Sequence, residues 1–179
     1  MNLNINNDSV TEIISAERLH VRIRELGSEI SRDYAEIATP LVVIGVLKGA
    51  FIVLADLVRT ITIPCTIDFL HASSYGSEKV SSGTVTIRHK ITSIQNRHVL
   101  LVEDIIDSGL TMQRITGELL QMNPASMKIF TLLDKPEARK LPVDIAYTGF
   151  VVPDRFIVGY GIDFNEQYRE LSSIGIINQ

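Results

Sequence analysis

Two adjacent carboxylates, Glu103 and Asp104, end the apolar run His98–Asp104, and Asp107-Ser108-Gly109-Leu110-Thr111 follows two residues later. Each part has a chemical use. Backbone N–H groups of a glycine-containing turn at a helix start cradle a phosphate, assisted by the helix dipole. Ser108 and Thr111 add hydroxyl donors. Paired carboxylates at a strand end accept hydrogen bonds from a cis-diol such as the 2′- and 3′-hydroxyls of ribose, and they hold Mg²⁺ directly or through water. Asp-Ser-Gly alone is an ordinary turn, and Asp or Ser an ordinary helix cap. Two acids on a buried strand directly before that turn make the string far more specific. The pattern GxxxxGK[ST] does not occur, which argues against a P-loop NTPase.

The elements that must position these groups are legible from periodicity. Leu19, Ile23, Leu26, Ile30, Tyr34 and Ile37 recur at three- and four-residue steps, which predicts a helix capped by Ser15, with Glu17 in its first turn and a stop at Pro40. Leu41–Val46 is a continuous β-branched apolar run and predicts a strand buried on both faces. Phe51–Arg59 has helical spacing, and Cys65–His71 reads as a second strand. The polar segment Ser73–Gly83 reads as a flexible loop, across which Thr84–Arg88 pairs with its neighbour. His98–Asp104 is a third buried strand, followed by a helix near Thr111–Met122 that ends before Pro124. Met127–Asp134 and Val143–Phe150 are two more strands, and the tail from Pro153 is mixed. Strands alternating with helices imply βαβ units and a mainly parallel sheet, in which ligands bind beyond the carboxyl ends of the strands. The unusual residues Lys48, Ser74, Tyr75, Glu103 to Thr111 and Lys135 all fall just past strand ends.

Composition narrows the class. A chain of 179 residues with 45% hydrophobic and 21% charged residues suits one globular domain and excludes a disordered or fibrous chain. The net charge of −4, with basic residues scattered, argues against a general nucleic-acid binder. The single cysteine, Cys65, makes no internal disulfide, and the four histidines show no ligand spacing. The start MNLNINNDSV lacks a basic and an apolar region, and the apolar stretch Leu41–Val58 is broken by Lys48 and Asp56. Neither a secretory signal nor a membrane span is therefore expected, and a cytoplasmic protein is.

Glu103–Thr111 resembles the phosphoribosyl-diphosphate (PRPP) binding motif of the type I phosphoribosyltransferases. The likeness extends over nearly the whole chain and is closest to the bacterial hypoxanthine and hypoxanthine-guanine members. Leu47-Lys48-Gly49 resembles their pyrophosphate loop, and Ser74-Tyr75 the dipeptide of their mobile lid. Lys135-Pro136, Phe156–Tyr160, and Asp163–Glu166 before Arg169 resemble their base- and metal-binding C-terminal segment. The resemblance implies an α/β type I phosphoribosyltransferase fold. Its mainly parallel twisted sheet would be flanked by helices, with a core at about 38–150 and a small hood from about 1–37 and 151–179. It implies transfer of phosphoribosyl from PRPP to N9 of hypoxanthine, and of guanine, with Mg²⁺ as cofactor, pyrophosphate as leaving group and an oxocarbenium-like transition state.

By the same resemblance, Asp107, Ser108, Gly109, Leu110 and Thr111 hold the 5′-phosphate, and Glu103 and Asp104 the ribose hydroxyls. Lys48, Gly49, Ser74, Tyr75 and Arg169 hold pyrophosphate; Lys135, Phe156, Ile157 and Asp163 hold the purine; Glu103, Asp104 and Asp163 contact the metal. Asp107 is the catalytic base for the N7 proton. The family often carries a non-proline cis peptide at the position of Leu47-Lys48. Lys135 offers only donors, which suits a 6-oxo group and suits a 6-amino group badly. A homodimer or homotetramer is implied, with no nucleic-acid or membrane partner. Two alternatives stay open: a phosphoribosyltransferase with another base preference, such as xanthine-guanine, and a non-catalytic RNA-binding regulator on the same fold.

Overall fold

Residues 2–5, 8–74, 85–89, 91 and 93–178 are described in the computed structural model, residues 2–5, 8, 73, 74 and 85–89 by their backbone alone. Two antiparallel strands, β1 (Asn2–Ile5) and β2 (Asp8–Ile14), open the chain where the sequence reads only as a polar start. Helix α1 (Ala16–Asp33) begins as predicted, the Ser15 hydroxyl accepting the Arg18 N–H at its first turn, and buries Leu19, Ile23, Leu26 and Ile30. Strand β3 (Leu41–Leu47), helix α2 (Phe51–Val58), strands β4 (Cys65–Ser74), β5 (Val85–His89) and β6 (His98–Ile106), helix α3 (Leu110–Leu120) and strand β7 (Ser126–Asp134) follow close to their expected places. The strand expected over Val143–Phe150 is shorter: β8 spans Tyr147–Val151, and its pairing with β7 starts at Phe130 opposite Tyr147. Val143 and Ile145 pack instead against the cluster that includes Met112, Ile115 and Leu119 of α3. Their alternation therefore serves packing rather than strand pairing. The mixed tail contains β9 (Ile157–Val158) and β10 (Ile174–Asn178).

The larger sheet has the order β5-β4-β3-β6-β7-β8, parallel except for β5, which runs antiparallel to β4. Helices cover both of its faces, which explains the unbroken apolar run of β3: Leu41 and Val43 join the core cluster of α1 and α2, while Val42, Ile44 and Val46 join that of α3. β6 divides the same way, with Leu100 and Val102 on one face and Val99 and Leu101 on the other. Because β3, β6 and β7 are parallel neighbours, their carboxyl ends share one edge. The N- and C-terminal segments form a second, four-stranded sheet of order β1-β2-β10-β9. Helix α1 lies within the span 1–37 that the resemblance places in the hood, yet it packs on the larger sheet. Its Arg22 donates to the carbonyls of Thr148 (2.9 Å) and Gly149 (3.1 Å) on edge strand β8. Among the described residues no helix is long and apolar enough to cross a membrane.

Candidate active site

Glu103 and Asp104 sit near the carboxyl end of β6 and are only 8% and 7% exposed. Successive strand residues point to opposite faces, so Asp104 turns toward the bend after β3 and Glu103 toward the start of α3. A Cβ built on Gly49 would lie 1.8 Å from Asp104 Oδ2, so only glycine lets the main chain come this close to the carboxylate. Burial raises the pKa of both acids; for Glu103 the charge and hydrogen bond of Asp104 raise it further, whereas the hydrogen bond from Glu103 and the charge of Arg169 restrain the rise at Asp104. Burial and its acidic neighbour thus favour the neutral form of Glu103. Its Oε2 is buried with no hydrogen-bond partner among the described residues.

That orphaned oxygen has a consequence for stability. Folding raises the Glu103 pKa above its ordinary 4.5, so the stability it contributes is intact below that pH and is lost as pH rises through the raised value. In metal-free buffer, Glu103→Gln is expected to raise Tm at pH 8 and to change little at pH 4. An unsatisfied buried polar group costs about 1–3 kcal/mol, and each kcal/mol moves Tm by roughly 2–4 °C in a chain of this size. Circular-dichroism melts across pH check this, and a Tm difference that does not grow with pH contradicts it.

Past β6, Asp107 is exposed and its Oδ1 accepts the Ser108 N–H. Gly109 caps α3 with φ +83°, a conformation open to glycine, and offers no side chain to occupy the first-turn amides. The loop is braced from behind: the N–H groups of Lys140 (3.0 Å) and Leu141 (3.1 Å) donate to the Ser108 carbonyl. Arg139 Nε donates to the Asp107 carbonyl at 2.7 Å. Glu103, Ile106, Asp107, Gly109 and Thr111 line a small cavity of about 60 Å³ here. Leu110 is the first residue of α3 and Ser108 Oγ lies 3.5 Å from its N–H.

The C-terminal segment closes over the turn after β3. A Cβ on Gly161, where φ is +101°, would lie 2.2 Å from the Gly49 carbonyl. Leu47-Lys48 is a cis peptide, as the resemblance implies. Lys48 Nζ pairs with both carboxylate oxygens of Glu166, at 3.0 and 3.1 Å. Arg169 donates to the Gly161 carbonyl at 2.8 Å, lies 2.8 Å from Asp163 and reaches Glu166 at 3.4 Å. The hydrogen bonds from Lys48 and Arg169 hold the Glu166 carboxyl below its ordinary range. One carboxylate thus occupies both expected pyrophosphate cations. The sequence places Glu166 in the Asp163–Glu166 motif but gives it no role of its own, and its pairing with Lys48, 118 residues away, leaves no local signal.

Lys135 follows β7 directly; its Nζ donates to the Arg155 carbonyl at 2.6 Å and lies 3.6 Å from Asp154, which aims it at the segment before Phe156. Phe156 is 59% exposed and meets Phe164 edge-on at 5.8 Å. Ile157 is buried at 5% in the core cluster, so only its main chain is free to meet a base. Ser74 ends β4, whereas Tyr75 and the remainder of the expected lid through Gly83 lie outside the described residues. Among the described residues no three of His, Cys, Asp or Glu form a metal-holding group. A Mg²⁺ site of one or two carboxylates completed by substrate phosphates and water needs no such group.

The chain is similar to known proteins over nearly its whole length. Residues 9–165 match the family model of the phosphoribosyl transferase domain. Hypoxanthine phosphoribosyltransferase of Buchnera aphidicola is 46% identical over 168 residues, 93% of this chain and 95% of the relative. Hypoxanthine-guanine phosphoribosyltransferase of Bacillus subtilis is 45% identical over 166 residues, 92% of this chain and 91% of the relative. A crystal structure of a hypoxanthine-guanine phosphoribosyltransferase from Bacillus anthracis superposes with a TM-score of 0.87 at 44% identity, covering 94% of this chain and 98% of that one.

Proposed function

The chain belongs to the phosphoribosyltransferase family, and we propose that within it the protein is a purine salvage enzyme, transferring the 5-phosphoribosyl group of PRPP to N9 of hypoxanthine and of guanine. The observation that carries this reading is a convergence at one sheet edge. The buried acid couple, the bare helix start at Gly109, the turn Lys48-Gly49 with Arg169 against it, and Lys135 tied to the segment before an exposed Phe156 all lie at the carboxyl ends of the neighbouring strands β3, β6 and β7.

In this reading the amides at the start of α3, with Ser108 and Thr111, take the 5′-phosphate. Glu103 and Asp104 take the ribose hydroxyls. Lys48, the Gly49 main chain, Arg169 and the dipeptide Ser74-Tyr75 take the pyrophosphate, which displaces Glu166 from its two cations. Phe156 stacks on the base, Lys135 donates to O6, and the Ile157 main chain and Asp163 lie at the purine's far side. Asp107 accepts the N7 proton while N9 bonds to C1 of the sugar and the C1–oxygen bond to pyrophosphate breaks. The buried, unpartnered Oε2 of Glu103 and the buried carboxylate of Asp104, with Asp163 on the C-terminal segment, suit Mg²⁺. When bound, the ion neutralises charge on the leaving pyrophosphate.

Gly49→Ala tests the close approach to Asp104. The added methyl displaces the carboxylate, and PRPP binding is expected to weaken by about tenfold, which is roughly 1.4 kcal/mol. Calorimetric titration with PRPP and Mg²⁺ checks it; wild-type affinity places Asp104 outside the sugar site.

A cytoplasmic enzyme accords with so highly charged a substrate. Assembly as a homodimer or homotetramer accords with the exposed Phe51, Ile67 and Phe69. The reading is tested by following nucleotide formation from PRPP and Mg²⁺ with hypoxanthine, guanine, xanthine or adenine, beside filter binding of RNA. Turnover of the first two is expected. Adenine or xanthine as the preferred base, or RNA binding without turnover, overturns it.

A further inference from the structure

Arg139 joins the two elements that face the purine's O6–N7 edge. It leaves the short 3₁₀ turn Pro136–Ala138 that follows Lys135, and its guanidinium makes three contacts at once. Nε donates to the Asp107 carbonyl at 2.7 Å, Nη2 donates to the Ile106 carbonyl at 3.2 Å, and Nη2 pairs with the carboxylate of Asp134, the last residue of β7. Arg139 and Asp134 side chains are each 17% exposed. The Lys135 N–H donates to the same Ile106 carbonyl at 2.9 Å. Thus the guanidinium adds a planar side-chain tie between Asp134-Lys135 and Ile106-Asp107 where the β6–β7 ladder, with Ile106 opposite Asp134, runs out.

We propose that Arg139 is a positioning residue that sets the spacing between Lys135 and Asp107, the two groups that read the adjacent O6 and N7 atoms of the purine. The inference rests on the roles assigned to those two residues above. The guanidinium is suited to the task because its donors form a rigid planar fork, able to hold two carbonyls and a carboxylate in a fixed relation. A lysine keeps the charge and loses the fork. The phosphate cup is held separately: the Ser108 carbonyl is tied by the main-chain N–H groups of Lys140 and Leu141, which no side-chain substitution removes. Loosening Arg139 therefore disturbs the purine edge more than the PRPP site.

Arg139→Lys is expected to lower kcat/KM for hypoxanthine by about 30–100-fold, the scale on which a displacement near 1 Å acts, while KM for PRPP stays within about threefold. Asp134→Asn leaves both carbonyl contacts and loosens the third, and is expected to act in the same direction with a smaller loss. Should Arg139→Lys fail to fold, Asp134→Asn alone decides the matter. A purely structural brace would lower the active fraction, cutting kcat for all bases and leaving both KM values alone. That pattern, an equal rise in both KM values, or hypoxanthine kcat/KM within twofold of wild type in folded variants overturns the proposal. Absence of nucleotide formation by the wild-type enzyme is a different failure, that of the proposed function itself.

Discussion

Asp107→Asn is expected to lower kcat for hypoxanthine by about 10²–10⁴-fold, the usual contribution of a positioned general base, with KM for PRPP nearly unchanged. The asymmetry follows from the local geometry. Asp107 Oδ1 accepts the Ser108 N–H, and an asparagine oxygen accepts the same bond, so the turn proposed to cup the 5′-phosphate keeps its shape. The main-chain carbonyl of residue 107 also keeps its bond from Arg139. What the amide loses is the ability to take a proton from N7. Steady-state kinetics with each substrate varied in turn separate the two effects. Wild-type turnover in the variant removes Asp107 from the mechanism, and a large rise in PRPP KM places it in phosphate binding instead.

Lys135→Ala is expected to reduce kcat/KM for hypoxanthine and guanine by about 10–10²-fold, the equivalent of a charged hydrogen bond of roughly 1.5–3 kcal/mol. Adenine use is expected to stay low and unchanged, because a 6-amino group gains nothing from a donor-only partner. The Lys135 side chain is 12% exposed and rests on the Arg155 carbonyl at 2.6 Å, within the segment that leads to Phe156. Its ammonium is therefore already turned toward the place where a stacked base would present O6. Unchanged hypoxanthine kcat/KM in the alanine variant refutes the assignment.

Most of the scaffold under these two residues is readable from the chain itself. Leu41–Leu47 and His98–Ile106 are buried on both faces, and burial on both faces is what an unbroken apolar run encodes. The α1 stripe and its Ser15 cap are local signals and emerge intact. The opening hairpin is different: β2 gains its second partner from β10, at least 160 residues away, and no local pattern records that pairing. Val143 and Ile145 alternate like a strand but answer to α3. At the site, Glu103 to Thr111 is contiguous and therefore conspicuous, whereas Arg139 and Glu166 are single charges in turns. Their importance arises from what the fold places opposite them: the Ile106 and Asp107 carbonyls in one case, and Lys48 and Arg169 in the other.

The most direct measurement is a crystal structure of the protein soaked with inosine 5′-monophosphate. The account predicts the ribose hydroxyls on Glu103 and Asp104, the phosphate in the Asp107–Thr111 turn, the base against Phe156 and O6 within hydrogen-bond distance of Lys135 Nζ. Nucleotide bound elsewhere, with the acid couple turned inward and remote from any sugar, contradicts it.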